Sequence, residues 1–432
     1  MKKEWAVGSG RRVLGGAIRL APCLFALGLA GAAAAQPPAD LPPEPVALQA
    51  LTGHPKVRAA EAGARAARAE HERLRAGSHE FGLRLGGARR TVNGGPEAKE
   101  WEAGLERGLR LPGKARLDDA IGERGVQEAQ ERVGDARHEA GRQLLASWYA
   151  WRQAEAEARL WRGQAALLAE QRRIVEVRVK RGDAARMDAL QAEAALAQAD
   201  AAARQAEARR DQTAAELRAR FPELPAPSAA AAEPALPEGG EADWVAHTLE
   251  HNHELLALRR AAERLRLATR RAEADALPDP TLGLRYASER DGEERVLGLS
   301  VSLPLPGAAR RAQARVWQGQ AEAMAEEEAA ARRSLAAQAA GNWQRAASGV
   351  ESWQRLQAAA QASGRHAELA RRAYELGELG LTETLLARRG ALEAQLAAEQ
   401  ARLAANEAVA RLLLDAHRLW LPGGEAGEHS GR

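Results

Sequence analysis

The sequence predicts a mainly α-helical protein with a small β part, and three observations point there. Alanine, leucine, glutamate, glutamine and arginine dominate a chain that is 45% hydrophobic and 28% charged but only 4% aromatic. That is the composition of long helices packed through narrow seams, with few of the large side chains that fill a globular core. A glycine-centred break occurs twice, in "RVKRGDAARMDAL" and "AYELGELGLTETL", each interrupting a long run of helix formers, with Gly182 and Gly377 separated by 195 residues. Ahead of each long helix, short glycine-rich stretches switch to alternating apolar and small or polar residues, the period of a strand with one apolar face.

The first element is a targeting segment. Lys2, Lys3, Arg11 and Arg12 precede the apolar run "LAPCLFALGLAGAAAA", which gives a basic start, a short apolar stretch and an A-x-A site, so residues 1–35 are expected to be a signal peptide cut after Ala35. A membrane anchor would need about 20 uninterrupted apolar residues, and Arg19 and Pro22 interrupt this one. Pro22 also sits where lipidation at Cys23 would want a small residue. Residues 1–35 hold Lys2, Lys3, Arg11, Arg12, Arg19 and one acid, Glu4, so the remainder carries 57 basic and 58 acidic residues, a net charge of −1. A basic nucleic-acid-binding protein is therefore not expected. Cys23 is the single cysteine, so neither a disulfide nor a cysteine metal site is available to the processed chain.

Two halves follow, with the same order of parts. Residues 36–220 contain a helix ("GHPKVRAAEAGARAARAEHERLRAG"), a glycine-rich patch and a long helix that breaks at Gly182 and returns. Residues 243–421 repeat this with "NHELLALRRAAERLRLATRRAEA", a second patch and a long helix that breaks at Gly377. "RLPGKAR" and "PLPGAAR" are offset by 194 residues and the breaks by 195, the mark of an internal duplication. Between the halves, residues 221–242 carry too many prolines for helix or strand and are expected to form a linker; residues 422–432 are expected to be a disordered tail.

Within the first long helix, Ala115 to Arg181, apolar residues separated by threes and fours run from Val126 through Val133, Leu144, Trp148, Trp151 and Trp161 to Leu168. Their mean spacing of about 3.5 is the coiled-coil period, and the helix would reach roughly 100 Å. In "RVLGLSVSLPL", Leu297, Leu299, Val301 and Leu303 alternate with Val296, Gly298, Ser300 and Ser302, and "TLGLRY" is its partner across "SERDGEE". The first half repeats this with "EFGLRLG" and "WEAGLERGLRL" across "RRTVNGGPEAK". Each half thus supplies one hairpin. An isolated hairpin is marginal in water, so these four strands must find other strands or be closed into a barrel with copies from other chains. Trp101 and Tyr286 flank the strands and are candidates for an interfacial aromatic belt.

No catalytic constellation, cofactor site or metal site is predicted. "HTLEHNHELL" places His247 and His251 four apart with His253 nearby, which is ligand spacing. The same region aligns with the helix start "LTGHPKVRA", so it reads as a surface turn. Glutamate-rich runs such as "AEEEAAARR" read as solvated helix faces, and the tryptophans on the seam as packing residues.

With signal peptide, helix, strand hairpin, very long helix, glycine turn and returning helix, all in duplicate, the chain resembles the TolC-type outer-membrane efflux channels (outer membrane factors), and more narrowly their CzcC-like heavy-metal branch. "LPDPTLGLRY" and "VLGLSVSLPLPGAARRAQA" are similar to the family's second strand pair and the helix start after it. The family's turn pattern is an aromatic, then Gly, an apolar residue, an acid and a Leu. Tyr374, Gly377, Glu383 and Leu385 match it, with Thr382 departing at the apolar position; Gly182, Met187, Asp188 and Leu190 match it, with Val179 in place of the aromatic.

The resemblance implies a long α-helical coiled-coil barrel, plus four strands per chain contributed to a trimeric twelve-stranded transmembrane β-barrel in outer-membrane lipid. It implies a homotrimer, not an enzyme, working with a periplasmic adaptor and an inner-membrane pump of the resistance-nodulation-division type as a passive exit duct for heavy-metal cations. The turns would be periplasmic tips that contact the adaptor, and Asp183, Asp188, Glu378 and Glu383 would lie at a tunnel constriction. The alternatives are a periplasmic adaptor, which should show one hairpin nested in β-rich halves, and a coiled-coil scaffold, which the alternating segments oppose.

Overall fold

The computed structural model describes residues 40–91, 93–224, 232–305 and 307–420. The signal-peptide and tail readings lie outside the described residues, as does the centre of the linker. The two halves have matching elements. In the first, helices α1 (Glu44–Gly53) and α2 (Pro55–Ala76) lead to strands β1 (Phe81–Arg90) and β2 (Ala98–Gly108), then to α3 (Pro112–Arg181) and α4 (Arg186–Arg220). In the second, α5 (Glu241–His251) and α6 (His253–Ala274) lead to β3 (Thr281–Glu289) and β4 (Glu294–Ser302), then to α7 (Ala308–Glu375) and α8 (Leu381–Asp415). Helix α5 begins inside the stretch read as linker, because Asp243 caps the amide of Gly240 at 3.0 Å and opens the helix there.

The long helices set the scale. Helix α3 has 70 residues and α7 has 68, so each extends about 100 Å. Shorter helices cover them in series: α2 packs on α3 before α4 does, α6 packs between α3 and α7, and α8 lies along α7 and α3. Proline at the start of α3, Pro112, and a buried alanine-rich interface fit this arrangement: alanine is the commonest buried residue, and small side chains let long helices lie close over many turns. The seam predicted on α3 points inward, with Val133, Ala140, Leu144, Trp148, Ala154, Ala158 and Leu168 buried. Trp148 donates its Nε1–H to the carbonyl of Asp40 (2.9 Å), and the same buried aspartate accepts from Tyr149 Oη (3.0 Å) and Asn406 Nδ2 (3.2 Å). No described helix is long and apolar enough to cross a membrane.

The four strands form one antiparallel sheet in the order β1-β2-β3-β4, so the two hairpins meet through β2 and β3. Beta1 and β2 run further into their connection than the alternation suggested, because Arg90 pairs with Ala98 in the ladder and its guanidinium binds Glu100 (2.6 Å) and Glu289 (3.1 Å). The register aligns side chains across all four strands. Leu83, Leu105, Leu284 and Leu299 form one row, and Leu85, Ala103, Tyr286 and Leu297 form the next.

A buried ion network joins the sheet to the helices. The Lys114 ammonium, on the first turn of α3 and only 2% exposed, lies 2.9 Å from Asp275 and 3.1 Å from Asp279. Arg271 bridges Asp275 and Asp118, Arg110 also reaches Asp118, and Asp279 accepts the amide of Leu111. Burial alone would raise the two carboxyls, but Lys114 and Arg271 around Asp275, and the Leu111 amide and Lys114 around Asp279, hold both below the usual carboxylate range. Their contribution to stability is therefore complete above the ordinary value of 3.8 and is lost as pH falls through the lower folded values. Replacing Lys114 with Met removes the one cation that Asp275 and Asp279 share. It should cost about 3 kcal/mol, as expected for breaking a buried pair from one side. Thermal unfolding in detergent at pH 7 checks this, and a variant as stable as the parent would show that the network does not hold the junction.

Candidate functional site

The twin turns are built by the same backbone device. In the first, Gly182 N–H donates to the Val179 carbonyl (3.1 Å) and Asp183 N–H to the Arg178 carbonyl (2.9 Å). In the second, Gly377 N–H donates to Tyr374 (3.1 Å) and Glu378 N–H to Ala373 (2.8 Å). These paired bonds are the Schellman closure of a helix end, which needs a left-handed residue. Gly182 sits at φ +84° and Gly377 at φ +78°. A methyl group would meet nothing within 4 Å at either position, so glycine is required by the backbone angle and not by space.

Every pair of predicted turn residues falls at equivalent positions 195 apart, yet their surroundings differ. Val175, Ala192, Tyr374 and Leu381 form a small core between the two hairpins, with Val179, Ala189 and Leu385 packed against it. Arg178 sits over the Tyr374 ring at 4.8 Å, and its Nη1 lies 3.4 Å from the Tyr374 carbonyl. Gln191 donates to Thr382 Oγ1 at 3.1 Å, tying the second turn of α4 to the first turn of α8. So Val179, Tyr374, Thr382 and Leu385 are brought together. Met187 and Leu190 are not: they stand 73% and 59% exposed near the start of α4. Asp183, Glu378 and Glu383 are exposed and Asp188 is half-buried. Asp188 and Glu383 each lie in the first turn of a helix, where a carboxylate also complements the helix dipole.

Sequence reasoning missed Val175, Ala192 and Leu381, which make the shared core, and Arg178 and Gln191, which tie the hairpins together. It also missed the exposed Leu376 and Leu386 beside the turns. The duplicated spacing gave the turns themselves; it could not show which residues of one turn touch the other.

The sheet is the second candidate surface, and its two faces are chemically opposite. On one face lie Phe81, Leu83, Leu85, Leu105, Leu284, Leu297, Leu299 and Val301, all exposed in the single chain. Trp101 and Tyr286 are on this face, 5.5 Å apart at the end nearer the connecting turns. The other face carries glycine, serine and ion pairs, including Arg285 to Glu102 (2.7 Å) and Arg84 to Glu106 (3.5 Å). Beta1 and β4 have no further strand partner among the described residues.

The histidine region departs from the surface-turn reading. His247 and His251 lie on α5 and His253 opens α6, all half-buried, and His138 of α3 and His417 beyond α8 pack against them. Burial first, and neighbouring imidazoles second, push His138 down to about 2 and His417 to about 3. Sequence spacing showed three of these histidines; the other two, on α3 and just past α8, lie more than a hundred residues away.

No protein-family model matches the chain, and no curated protein matches it by sequence. Solved structures do match in three dimensions. The outer-membrane channel OprN superposes with a TM-score of 0.73 at 19% identity, over 88% of this chain and 90% of that one. The MtrE outer membrane channel of Neisseria gonorrhoeae, in its open state, gives 0.72 at 18% identity over 88% and 90%. CusC, in structures describing folding and transmembrane channel formation, gives 0.68 at 13% identity over 86% and 91%. At these identities the likeness is one of fold, and the paired hairpins, long helices and four-stranded sheet of this chain are the architecture of outer-membrane channel proteins.

Proposed function

We propose that this chain is the outer-membrane component of a tripartite efflux system, a passive exit duct with a large periplasmic portion. The observation that carries this reading is the sheet: strands of 9 to 11 residues, the length that crosses the lipid core when tilted, apolar on one face and charged on the other. A lipid-facing barrel wall needs that division. It also needs closure, because backbone left unpaired at an edge in lipid costs several kcal/mol per group. Four strands cannot close a barrel alone, so β4 of one copy pairs with β1 of the next, and three copies make a twelve-stranded barrel. A periplasmic adaptor is not favoured: it would carry one helical hairpin within β-rich halves, whereas the described residues of this chain form two helical hairpins and one sheet.

In this reading the helices form a tunnel across the periplasm, and the twin turns meet a periplasmic adaptor that links the duct to an inner-membrane pump of the resistance-nodulation-division type. Met187, Leu190 and Leu376 supply apolar contact at the tips. The substrate class, heavy-metal cations, follows from the resemblance to the CzcC-like branch. An open duct takes its specificity from the pump behind it.

Three outcomes test this. Purified in detergent, the protein should run as a heat-sensitive trimer from the outer-membrane fraction, with strong helical and minor β circular dichroism; a stable monomer would sink the barrel. Gly377→Val should strain the second turn by about 1–2 kcal/mol, since a side chain resists the left-handed angle, and lower efflux-dependent resistance while trimer yield stays normal. Unchanged resistance would show that the turn geometry is not used in coupling. Asp188→Asn combined with Glu383→Gln should reduce cation preference in planar bilayers at low salt, where a threefold ring of carboxylates acts most strongly. A preference that persists would place these acids away from the constriction.

A further inference from the structure

The histidine cluster has a geometry that packing alone does not require. His138 (α3), His253 (the first residue of α6) and His417 (two residues past α8) each offer a ring nitrogen, and these nitrogens all lie within 4.8 Å of one another. Their ring centroids are 4.1 Å apart for His138 and His417, 4.8 Å for His253 and His417, and 5.4 Å for His138 and His253. Two of the rings are fixed from behind. His253 Nδ1 lies 2.8 Å from the Glu131 carboxylate, which leaves Nε2 as the nitrogen available to a metal, and His417 is held by the backbone of His251. A carboxylate behind an imidazole is the usual support for a metal-binding histidine.

Two further features favour a ligand over filler. His417 adopts φ +55°, and its N–H and that of Arg418 close the end of α8 on Leu414 (3.0 Å) and Leu413 (2.8 Å). This is the same closure that uses glycine at both tips, so a histidine here accepts backbone strain to place its ring. Gly134, one turn before His138, makes the room: a methyl there would lie 2.4 Å from His253 Nε2. The corresponding positions of the first half hold Gly53, Pro55 and Pro222 in place of His251, His253 and His417. The cluster is therefore not a by-product of the duplication.

The charges around the rings are accounted for. Glu131, Asp135 and Glu139 come from α3, and the nearby Arg142 is taken up by Asp415 at 2.8 Å, which is itself bound by Asn342 at 2.9 Å. His247 and His251 flank the trio with ring centroids 4.4 Å apart, His247 Nε2 lying 3.0 Å from the Ala416 carbonyl.

We propose that His138, His253 and His417 bind one borderline divalent transition-metal ion of the zinc(II) class, which clips α3, the start of α6 and the end of α8 together. Zinc–nitrogen bonds of about 2.0–2.1 Å in a tetrahedral site put ligand nitrogens about 3.4 Å apart, so the trio, within 4.8 Å, closes by at most about 1.4 Å, which rotation of the imidazoles about their side-chain bonds supplies. Three imidazoles leave a fourth position for water. The site stands whether or not the duct carries metals, since the rings bridge both halves of the chain along the body of α3, 44 residues before the Gly182 turn.

The test uses tag-free full-length protein in detergent, stripped with a chelator and titrated with zinc chloride by calorimetry. One saturable site per chain is expected, with a rise in melting temperature that magnesium chloride does not give. Cobalt(II) in place of zinc should give the intense visible bands of a low-coordinate nitrogen site. Glu131→Gln, which keeps the fold and removes the carboxylate behind His253, should weaken zinc about 10- to 100-fold. His138→Ala with His417→Ala should abolish binding, and the exposed His366→Ala should leave it unchanged. No saturable zinc binding by the folded parent, an equal response to magnesium, or undiminished binding by the His138/His417 double variant would each overturn the proposal. The cobalt spectrum of the parent decides the matter even if that double variant does not fold.

Discussion

The free edges of the four-stranded sheet are the constraint on which the rest of the architecture depends. Each chain presents a face of leucine, valine and phenylalanine whose edges, β1 and β4, have no strand partner among the described residues, a surface that is stable neither in water nor in lipid until the edges are joined. The meeting of β2 with β3 already uses half of each hairpin's pairing capacity to bind the two halves into one sheet. What remains is one edge of each polarity per chain, which suits pairing between copies. The two faces divide in the same sense: leucine rows on one, and the Arg285–Glu102 and Arg84–Glu106 pairs on the other, the separation that a wall between lipid and water requires.

A wall built this way has to carry helices of about 100 Å without letting them pivot. The Lys114 network performs that task at the strand–helix junction. It draws on Arg110 and Lys114 from the first half and on Arg271, Asp275 and Asp279 from the second, so the exit of the first half from β2 and the entry of the second half into β3 anchor each other. Further along, Asp40 gathers Trp148, Tyr149 and Asn406, locking the start of the described chain against α3 and α8. Between such polar anchors the contacts are mainly alanine on alanine, individually weak but repeated over many turns.

The duplication sets the frame and its divergence sets the chemistry. Both turns close with the same hydrogen bonds and the same left-handed glycine, yet Tyr374 is buried in the shared core, whereas its counterpart Val179 only packs against it. Leu385 packs there as well, while Leu190 stands exposed. The same divergence appears along the body of the helices, where the second half carries imidazoles at positions that hold glycine and proline in the first.

Much of this was legible in the residues. Composition and the 3.5-residue spacing gave the long helices and put Trp148 and Leu144 on the buried seam, because helical periodicity is a local property of the chain. The alternation in "VLGLSVS" gave the strands, and the repeated glycine gave the turns, because a left-handed helix closure can be read from one residue type. Contacts between segments far apart in sequence could not be read this way. Nothing local to His253 points to His138 or His417, nothing in Val175 points to Leu381, and the pairing of β2 with β3 depends on how two hairpins separated by a long helical excursion return to the same place. The sequence determined the elements and their duplicated order, since those rest on short-range sterics and period; the tertiary structure alone decided which residues of the two halves share an environment, since that depends on packing between helices whose register no local pattern encodes.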